Sequence, residues 1–147
     1  MTDQYQYTES GLDTVYLLNG YEIVKSSKGT GVKIQDVDGL HIAIGRALIE
    51  NKKKLSGSEF RFLRTELLMS QSALARLLHV KELTIARWEK GQTKIPVTAD
   101  ATVRLLYREH IGGNQGISDI LRSIADLEDR IDKMVMEETA GKWDRAA

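Results

Sequence analysis

The sequence predicts an α+β fold in which a small N-terminal β-meander plus a helix precede an all-α bundle and a C-terminal amphipathic helix. Two observations predict it: β-prone stretches bounded by turn residues occupy the first 35 residues, and apolar residues then recur at helical spacing in several separate segments. A chain of 147 residues with 41% hydrophobic residues holds one domain of ordinary size or two small ones. We therefore divide it into 1–54, a small α+β domain, 55–111, the all-α bundle, and 112–147, the C-terminal helix.

The meander rests on two stretches rich in Val, Ile and Tyr, TVYLLNGYEIV and GVKIQ. Asn19 and Gly20 form a strong turn signal, and Gly29 and Gly31 suit a second turn. The chain contains no cysteine, so neither a disulfide nor a thiolate zinc site holds this region together. We expect it to be held by a core of Val15, Leu17, Ile23, Val32, Ile34 and Leu40.

Helix-capping residues predict the next two helices. Asp36 or Asp38 caps a first helix, which continues to the basic triplet Lys52–Lys54. Ser56 and Glu59 have the spacing of a capping box and predict the start of a second helix. The buried face of this second helix is expected to contain Phe60, Leu63 and Leu67.

Two short helices then meet across a tight turn at His79 and Val80. Ser70 is expected to cap the first of them, and Gly91 is expected to end the second in a left-handed conformation. Pro96 stands near the start of a further helix, a position that proline favours. The core of this part is expected to contain Leu74, Ala75, Val80, Ile85 and Trp88.

After the glycine-rich segment 112–116, apolar residues alternate steps of three and four. This pattern covers nearly three heptads, which is shorter than a self-sufficient coiled coil usually requires. We expect it to be buried, either against the rest of its own chain or against a second subunit in a dimer. The stripe consists of Ile117, Ile120, Ile124, Leu127, Ile131 and Met134. The final segment, ETAGKWDRAA, is expected to be frayed.

Charge is distributed unevenly, although the formal net charge of the chain is zero. Residues 52–110 contain 12 Lys and Arg against 6 Asp and Glu, whereas residues 1–51 contain 4 against 7 and residues 111–147 contain 5 against 8. A basic centre between two acidic flanks indicates that only the centre attracts a polyanion.

Several classes of function lack support. No basic and then apolar signal opens the chain, and no apolar run approaches the ~20 residues that span a bilayer, so a cytoplasmic location is expected. His41, His79 and His110 are scattered, and no nucleophile, base and orienting group can be assembled, so we do not expect an enzyme. DVDGLH resembles part of a metal-binding loop but lacks the acidic spacing and distal Glu of a calcium site. We interpret it as a helix cap and expect neither a metal nor a cofactor.

Two short helices joined by a tight turn suit a helix-turn-helix, whose second helix enters a major groove ~12 Å wide. The segment MSQSALARLLHVKELTIARWEKGQTKIP closely resembles the Xre/Cro family of DNA-binding domains, whose bundle is lambda-repressor-like. The residues that carry the family signature are Ser70, Gln71, Leu74, Ala75, Leu78, Val80, Thr84, Ile85, Arg87, Trp88, Glu89 and Gly91. The resemblance covers residues 55–110 and implies a transcription regulator that binds double-stranded DNA, as a homodimeric repressor on a palindromic operator. Lys81 departs from the small capping residue that is common at its position in the family.

The resemblance also implies roles for individual residues. Those expected to contact base edges are Glu82, Leu83, Thr84 and Arg87, and an arginine can bond guanine through two hydrogen bonds. Those expected to contact the DNA backbone are Gln71, as a phosphate clamp, with Ser70, Lys81, Lys90, Lys94 and Arg61. Three alternatives remain open: Arg87 pairs with Glu66 or Glu89, Gln71 is an ordinary surface residue, and Lys52–Lys54 is a solvated linker instead of a DNA-binding arm.

A small β-plus-helix unit ahead of such a domain is similar in organisation to MqsA-like antitoxins. Those antitoxins usually hold their N-terminal domain with a cysteine zinc site, which this chain lacks. Two functions therefore stay open. One is a homodimeric regulator whose N-terminal unit serves dimerisation or effector sensing. The other is an antitoxin that neutralises a toxin protein and autoregulates its operon.

Overall fold

The computed structural model describes residues 4–113 and 134–146. The α+β class is confirmed, because small β-hairpins at the N-terminus precede five helices with a mostly helical core. The elements are β1 (Tyr5–Gln6), β2 (Tyr16–Leu17), β3 (Tyr21–Ser26), β4 (Gly29–Ile34), α1 (Val37–Asn51), α2 (Gly57–Glu66), α3 (Gln71–Leu78), α4 (Glu82–Glu89), α5 (Val97–Ile111), β5 (Met136–Thr139) and β6 (Lys142–Arg145). The predicted C-terminal stripe from Ile117 to Ile131 lies outside the described residues.

The expected meander takes the form of two separate antiparallel sheets, β1 with β2 and β3 with β4. Tyr21, at the base of the β3–β4 hairpin, stacks on Tyr5 with the ring centroids 5.2 Å apart. Further out no other strand of the described residues pairs with the hairpin, and Ile23 is 55% exposed. The prediction that Ile23 belongs to the core is therefore wrong, whereas Leu17 is buried. The remaining predicted core residues of this region, Val15, Val32, Ile34 and Leu40, are half-buried.

The predicted N-caps of the first three helices are confirmed. Asp36 caps α1 by accepting a backbone N–H with its carboxylate. Ser56 and Glu59 form both hydrogen bonds of the capping box at α2, and Ser70 caps α3 through its side-chain oxygen. Because such a cap stabilises a helix by about 1 kcal/mol, these helix starts are set by local interactions.

Three successive helices end in a left-handed residue: α2 at Leu68 with φ 59°, α3 at His79 with φ 56° and α4 at Gly91 with φ 73°. At each end the N–H of the following residue bonds to a carbonyl five positions earlier, as in the Schellman motif. The turn at His79 and the stop at Gly91 are thus confirmed. Only the last of the three ends uses glycine, and the left-handed conformation is strained for the other two by about 1–2 kcal/mol each.

One hydrophobic core runs from the N-terminal strands through α5, and α1 is part of it. At Gly45, α1 approaches α5 so closely that a Cβ atom would lie 2.2 Å from the ring of Tyr107. The largest fully buried side chains are Phe60, Leu63, Leu74, Ile85, Val103 and Tyr107. The helices therefore pack as one body around the buried faces that the periodicity predicted. None of the helices in residues 4–113 is both long and apolar enough to cross a membrane.

The last described residues form a hairpin of β5 and β6, so the prediction of a frayed end is wrong. Its turn consists of Ala140 and Gly141, which have φ values of 53° and 80° and suit a two-residue hairpin. Trp143 in β6 is 72% exposed. Met134, the last residue of the predicted stripe, lies ahead of β5 outside any helix and is 70% exposed.

Candidate nucleic-acid interface

Helix α4 has one buried and one exposed face. Ile85 is fully buried and Trp88 is 5% exposed, with its ring edge-on to Phe60 at a centroid distance of 5.8 Å. On the other side Glu82, Leu83 and Arg87 are exposed and Thr84 is half-buried. The residues predicted to contact bases therefore share the face of α4 that the core leaves free.

The start of α4 reflects the unusual Lys81. This residue is the N-cap, with extended backbone angles, and its side chain makes no capping hydrogen bond. An ammonium group offers only donors, so it cannot accept an N–H of the first turn. The carbonyl of Lys81 instead accepts the N–H of Thr84 at 2.9 Å. The helix begins at Glu82, and the ammonium is exposed beside its N-terminal end.

A network of buried charges holds α4 against two other helices. Arg64 of α2 donates Nε to Oε2 of Glu89 at 2.7 Å and Nη2 to Oε1 at 3.0 Å. Its Nη1 donates to the carbonyl of Met69 at 2.9 Å. Gln71 of α3 donates its amide Nε2 to Oε1 of Glu89, also at 2.9 Å. We refer to Arg64, Gln71 and Glu89 as the charged network.

The ion pair within the charged network is largely shielded from solvent, since the side chains of Arg64 and Glu89 are 11% and 3% exposed. Arg64 was not among the predicted site residues, because its partner lies 25 residues away along the chain. One local signal was present in the sequence. Arg64 follows the buried Phe60 by four residues, and Glu89 follows the buried Ile85 by four residues, so each charge lies on the buried face of its helix. A charge placed on a buried helix face needs a partner, and this requirement points to a pair.

The network also bears on the alternatives for Arg87 and Gln71. Glu89 is bonded to Arg64, Glu66 lies 3.3 Å from Nδ1 of His41, and neither acid forms an ion pair with Arg87. Within the described residues Arg87 forms no ion pair. Gln71 is half-buried and bonded to Glu89, unlike an ordinary surface glutamine.

Gly57 brings the start of α2 against the end of α4. A Cβ atom at this glycine would lie 2.4 Å from the carbonyl oxygen of Glu89 and 2.5 Å from that of Trp88. Real Cβ atoms do not approach backbone oxygens so closely, so this position accepts only glycine without movement of one helix. The contact and the charged network together fix the orientation of α4.

The predicted backbone contacts fall into three groups. Ser70 and Gln71 lie at the N-terminus of α3. The exposed Lys81 and Lys90 flank the two ends of α4, and Lys94 is exposed in the loop that follows. Arg61 is exposed on α2 and lines a separate cleft of about 300 Å³ beside Glu9 and Glu66. These two carboxylates oppose the attraction of Arg61 for a phosphate.

Residues 60–99 match a protein-family model described as helix-turn-helix. The match runs from α2 into the first turn of α5 and includes the whole charged network and α4. The match supports the prediction of a DNA-binding transcription regulator. The matched family is one of regulatory domains and not of enzymes. Comparison with curated proteins and with solved structures found no match, so the resemblance to MqsA-like antitoxins is not confirmed.

Proposed function

We propose that this protein is a homodimeric repressor that binds a palindromic operator by placing α4 in the major groove. The observation that carries the proposal is the exposed face of α4, which presents Glu82, Leu83 and Arg87. No acid among the described residues forms an ion pair with the guanidinium of Arg87. Arg87 reads a guanine through two hydrogen bonds, and Glu82, Leu83 and Thr84 contact neighbouring bases. This activity belongs in the cytoplasm, on the nucleoid.

The backbone contacts set the register of α4 on the duplex. Gln71 carries two amide N–H groups, of which one is bonded to Glu89. The second N–H donates to a phosphate oxygen, and the exposed Ser70 beside it adds a hydroxyl donor at the same helix end. Lys81, Lys90 and Lys94 add charge at either end of α4, and Arg61 contributes least because two carboxylates lie near it.

The proposal is tested by selecting fragments of genomic DNA that bind the full chain and measuring their affinities in gel-shift titrations. Arg87→Ala is expected to lower the preference for the selected site over a scrambled duplex by about 5- to 150-fold, the equivalent of ~1–3 kcal/mol. Weak nonspecific binding should persist, since the lysines remain. The matched control is Arg46→Ala, which removes an exposed arginine of α1.

Two results would contradict the proposal. Absence of any shift at low salt with the wild-type chain excludes DNA binding. Unchanged discrimination by the Arg87 variant shows that this residue does not read a base.

The three-part division of the chain belongs to the same proposal: 1–54 senses or binds a partner, 55–111 binds DNA, and 112–147 forms the dimer. A chain that ends at Gly116 should elute as a monomer on gel filtration while the full chain elutes as a dimer. An unaltered dimer would transfer the subunit contact to residues 1–54.

An antitoxin is the second candidate, and the exposed apolar residues of the N-terminal unit favour it. Tyr16, Leu18 and Ile23 are 54%, 56% and 55% exposed, and Val24 is 37% exposed. Exposed apolar residues that join into one patch are typical of a protein-binding surface and contribute nothing to phosphate contacts. If the product of the adjacent gene stops growth, coexpression of this chain should restore it, and Ile23→Asp should not. Failure of the wild-type chain to restore growth rejects the antitoxin role.

A further inference from the structure

The triplet Lys52–Lys54 separates into two kinds of lysine. Lys52 places its ammonium 3.3 Å from Oε2 of Glu59, whose side chain is 5% exposed. Lys53 and Lys54 are exposed and form no ion pair within the described residues. One positive charge of the triplet is therefore neutralised, and two are left for another partner.

The backbone that carries these two lysines is fixed at both of its ends. The carbonyl of Lys52 accepts Nη1 of Arg104 at 2.7 Å. The N–H of Leu55 donates to Oδ2 of Asp100 at 2.9 Å, and the Leu55 side chain is 6% exposed. A segment bound on both sides of its exposed lysines does not behave as a solvated linker, because its backbone entropy is already lost on folding.

The fixed segment lies beside the end of α4. Lys53 and Lys54 line a cleft of about 860 Å³ whose other wall is the loop after α4, from Gly91 to Pro96, and includes Lys94. The close contact between Gly57 and the last carbonyls of α4 brings the two walls together. Lys53, Lys54 and Lys94, which we call the lysine rim, thus border one cleft next to α4.

Nearby acids do not neutralise the lysine rim. The one acid among the described residues that line the cleft is Asp100, and its carboxylate is bonded to Arg104 of the same helix. Glu59 and Glu89, at the adjoining ends of α2 and α4, are bonded to Lys52 and Arg64. Positive charges that border one cleft without counter-charges attract an anion with several negative charges.

We propose that Lys53 and Lys54 join Lys94 in binding phosphates of the DNA strand that passes the C-terminal end of α4, and so extend the contact beyond the helix-turn-helix itself. This inference rests on the proposed DNA-binding function. The contact is nonspecific, since an ammonium group bonds phosphate oxygens and reads no base. Its effect is on affinity and on salt dependence.

The test measures the affinity of the full chain for a fluorescent duplex with a selected site, by anisotropy over a series of salt concentrations. Each phosphate contact contributes about 0.9 to the slope of the logarithm of the association constant against the logarithm of salt. Each subunit of the proposed dimer contributes both lysines, so the variant Lys53→Gln with Lys54→Gln removes four phosphate contacts from the complex. It should lower the magnitude of this slope by roughly 3.6 and keep the preference for the site over a scrambled duplex. A decrease of about 1.8 would assign the contact to one of the two lysines in each subunit.

The matched control is Lys25→Gln with Lys28→Gln, which removes two exposed lysines from the β3–β4 hairpin and should leave the slope unchanged. A wild-type slope in the Lys53 and Lys54 variant would overturn the inference while the proposed function stands. An equal decrease in the control would also overturn it, since the effect would then reflect overall charge. Wild-type protein that binds no duplex would refute the proposed function, and this inference with it.

Discussion

The charged network should make Glu89 one of the residues on which folding depends most. Glu89→Ala removes an acceptor of three hydrogen bonds, at 2.7, 3.0 and 2.9 Å, and leaves the guanidinium of Arg64 unpaired with its side chain 11% exposed. Loss of one partner from a buried ion pair destabilises a protein by about 3–5 kcal/mol. Because domains are stable by only about 5–15 kcal/mol, the variant should lose about a fifth or more of its free energy of unfolding.

The assay is urea unfolding followed by circular dichroism, with the slope of the free energy against urea expected to stay the same. Replacing both partners, as Arg64→Met with Glu89→Leu, should restore most of the stability, because no unpaired charge then remains in the core. Glu82→Ala is the control, since it removes an exposed carboxylate from the same helix and should cost under about 1 kcal/mol. If Glu89→Ala costs as little stability as Glu82→Ala, or if the double variant is no more stable than the single one, the charged network does not stabilise the fold.

Two further predictions concern close packing. Gly57→Ala forces a Cβ atom to within 2.4 Å of a backbone oxygen of α4 and should destabilise the chain by about 1–3 kcal/mol in urea unfolding. The control is Gly31→Ala, which should be neutral because the nearest atom to its Cβ lies 4.0 Å away. Equal stability of the two variants would contradict the close contact at Gly57. Burial, with a smaller contribution from the charge of Glu66, raises the pKa of Tyr107 to about 12 from an ordinary value of 10. Since the folded state holds this proton more tightly, stability should fall as pH rises from 10 towards 12, and the last phenol to ionise in an ultraviolet titration should disappear in Tyr107→Phe. A titration curve unchanged by that substitution at high pH would contradict the assignment.

The parts of the fold that follow from neighbouring residues were predictable from the sequence. Ser56 and Glu59 are three residues apart and form their capping box without help from the rest of the chain. The same holds for Ser70 at the start of α3 and for Gly91 at the end of α4. Helical spacing also predicted the buried face of Ile85 and Trp88, because one side of an amphipathic helix must meet a core.

Apart from the β5–β6 hairpin, whose turn is local, the features that were predicted wrongly or missed depend on partners distant in the sequence. Ile23 has the alternating pattern of a buried strand, but its burial depends on a third strand or a helix that the described residues do not supply. Arg64 was not predicted as a site residue, because its ion pair with Glu89 forms only when α2 and α4 are packed together. Likewise Lys53 and Lys54 gain their proposed role only from the loop that lies opposite them.

The helix ends at Leu68 and His79 are two places where a substitution could increase the stability of this chain. Each keeps an L-residue in the left-handed region where Gly91 performs the same task without strain. Neither side chain is required by the proposed contacts with DNA, and both are exposed. A protein engineer seeking a sturdier version of this domain would therefore begin at these two turns, where glycine or asparagine removes strain without altering the surface that meets the duplex.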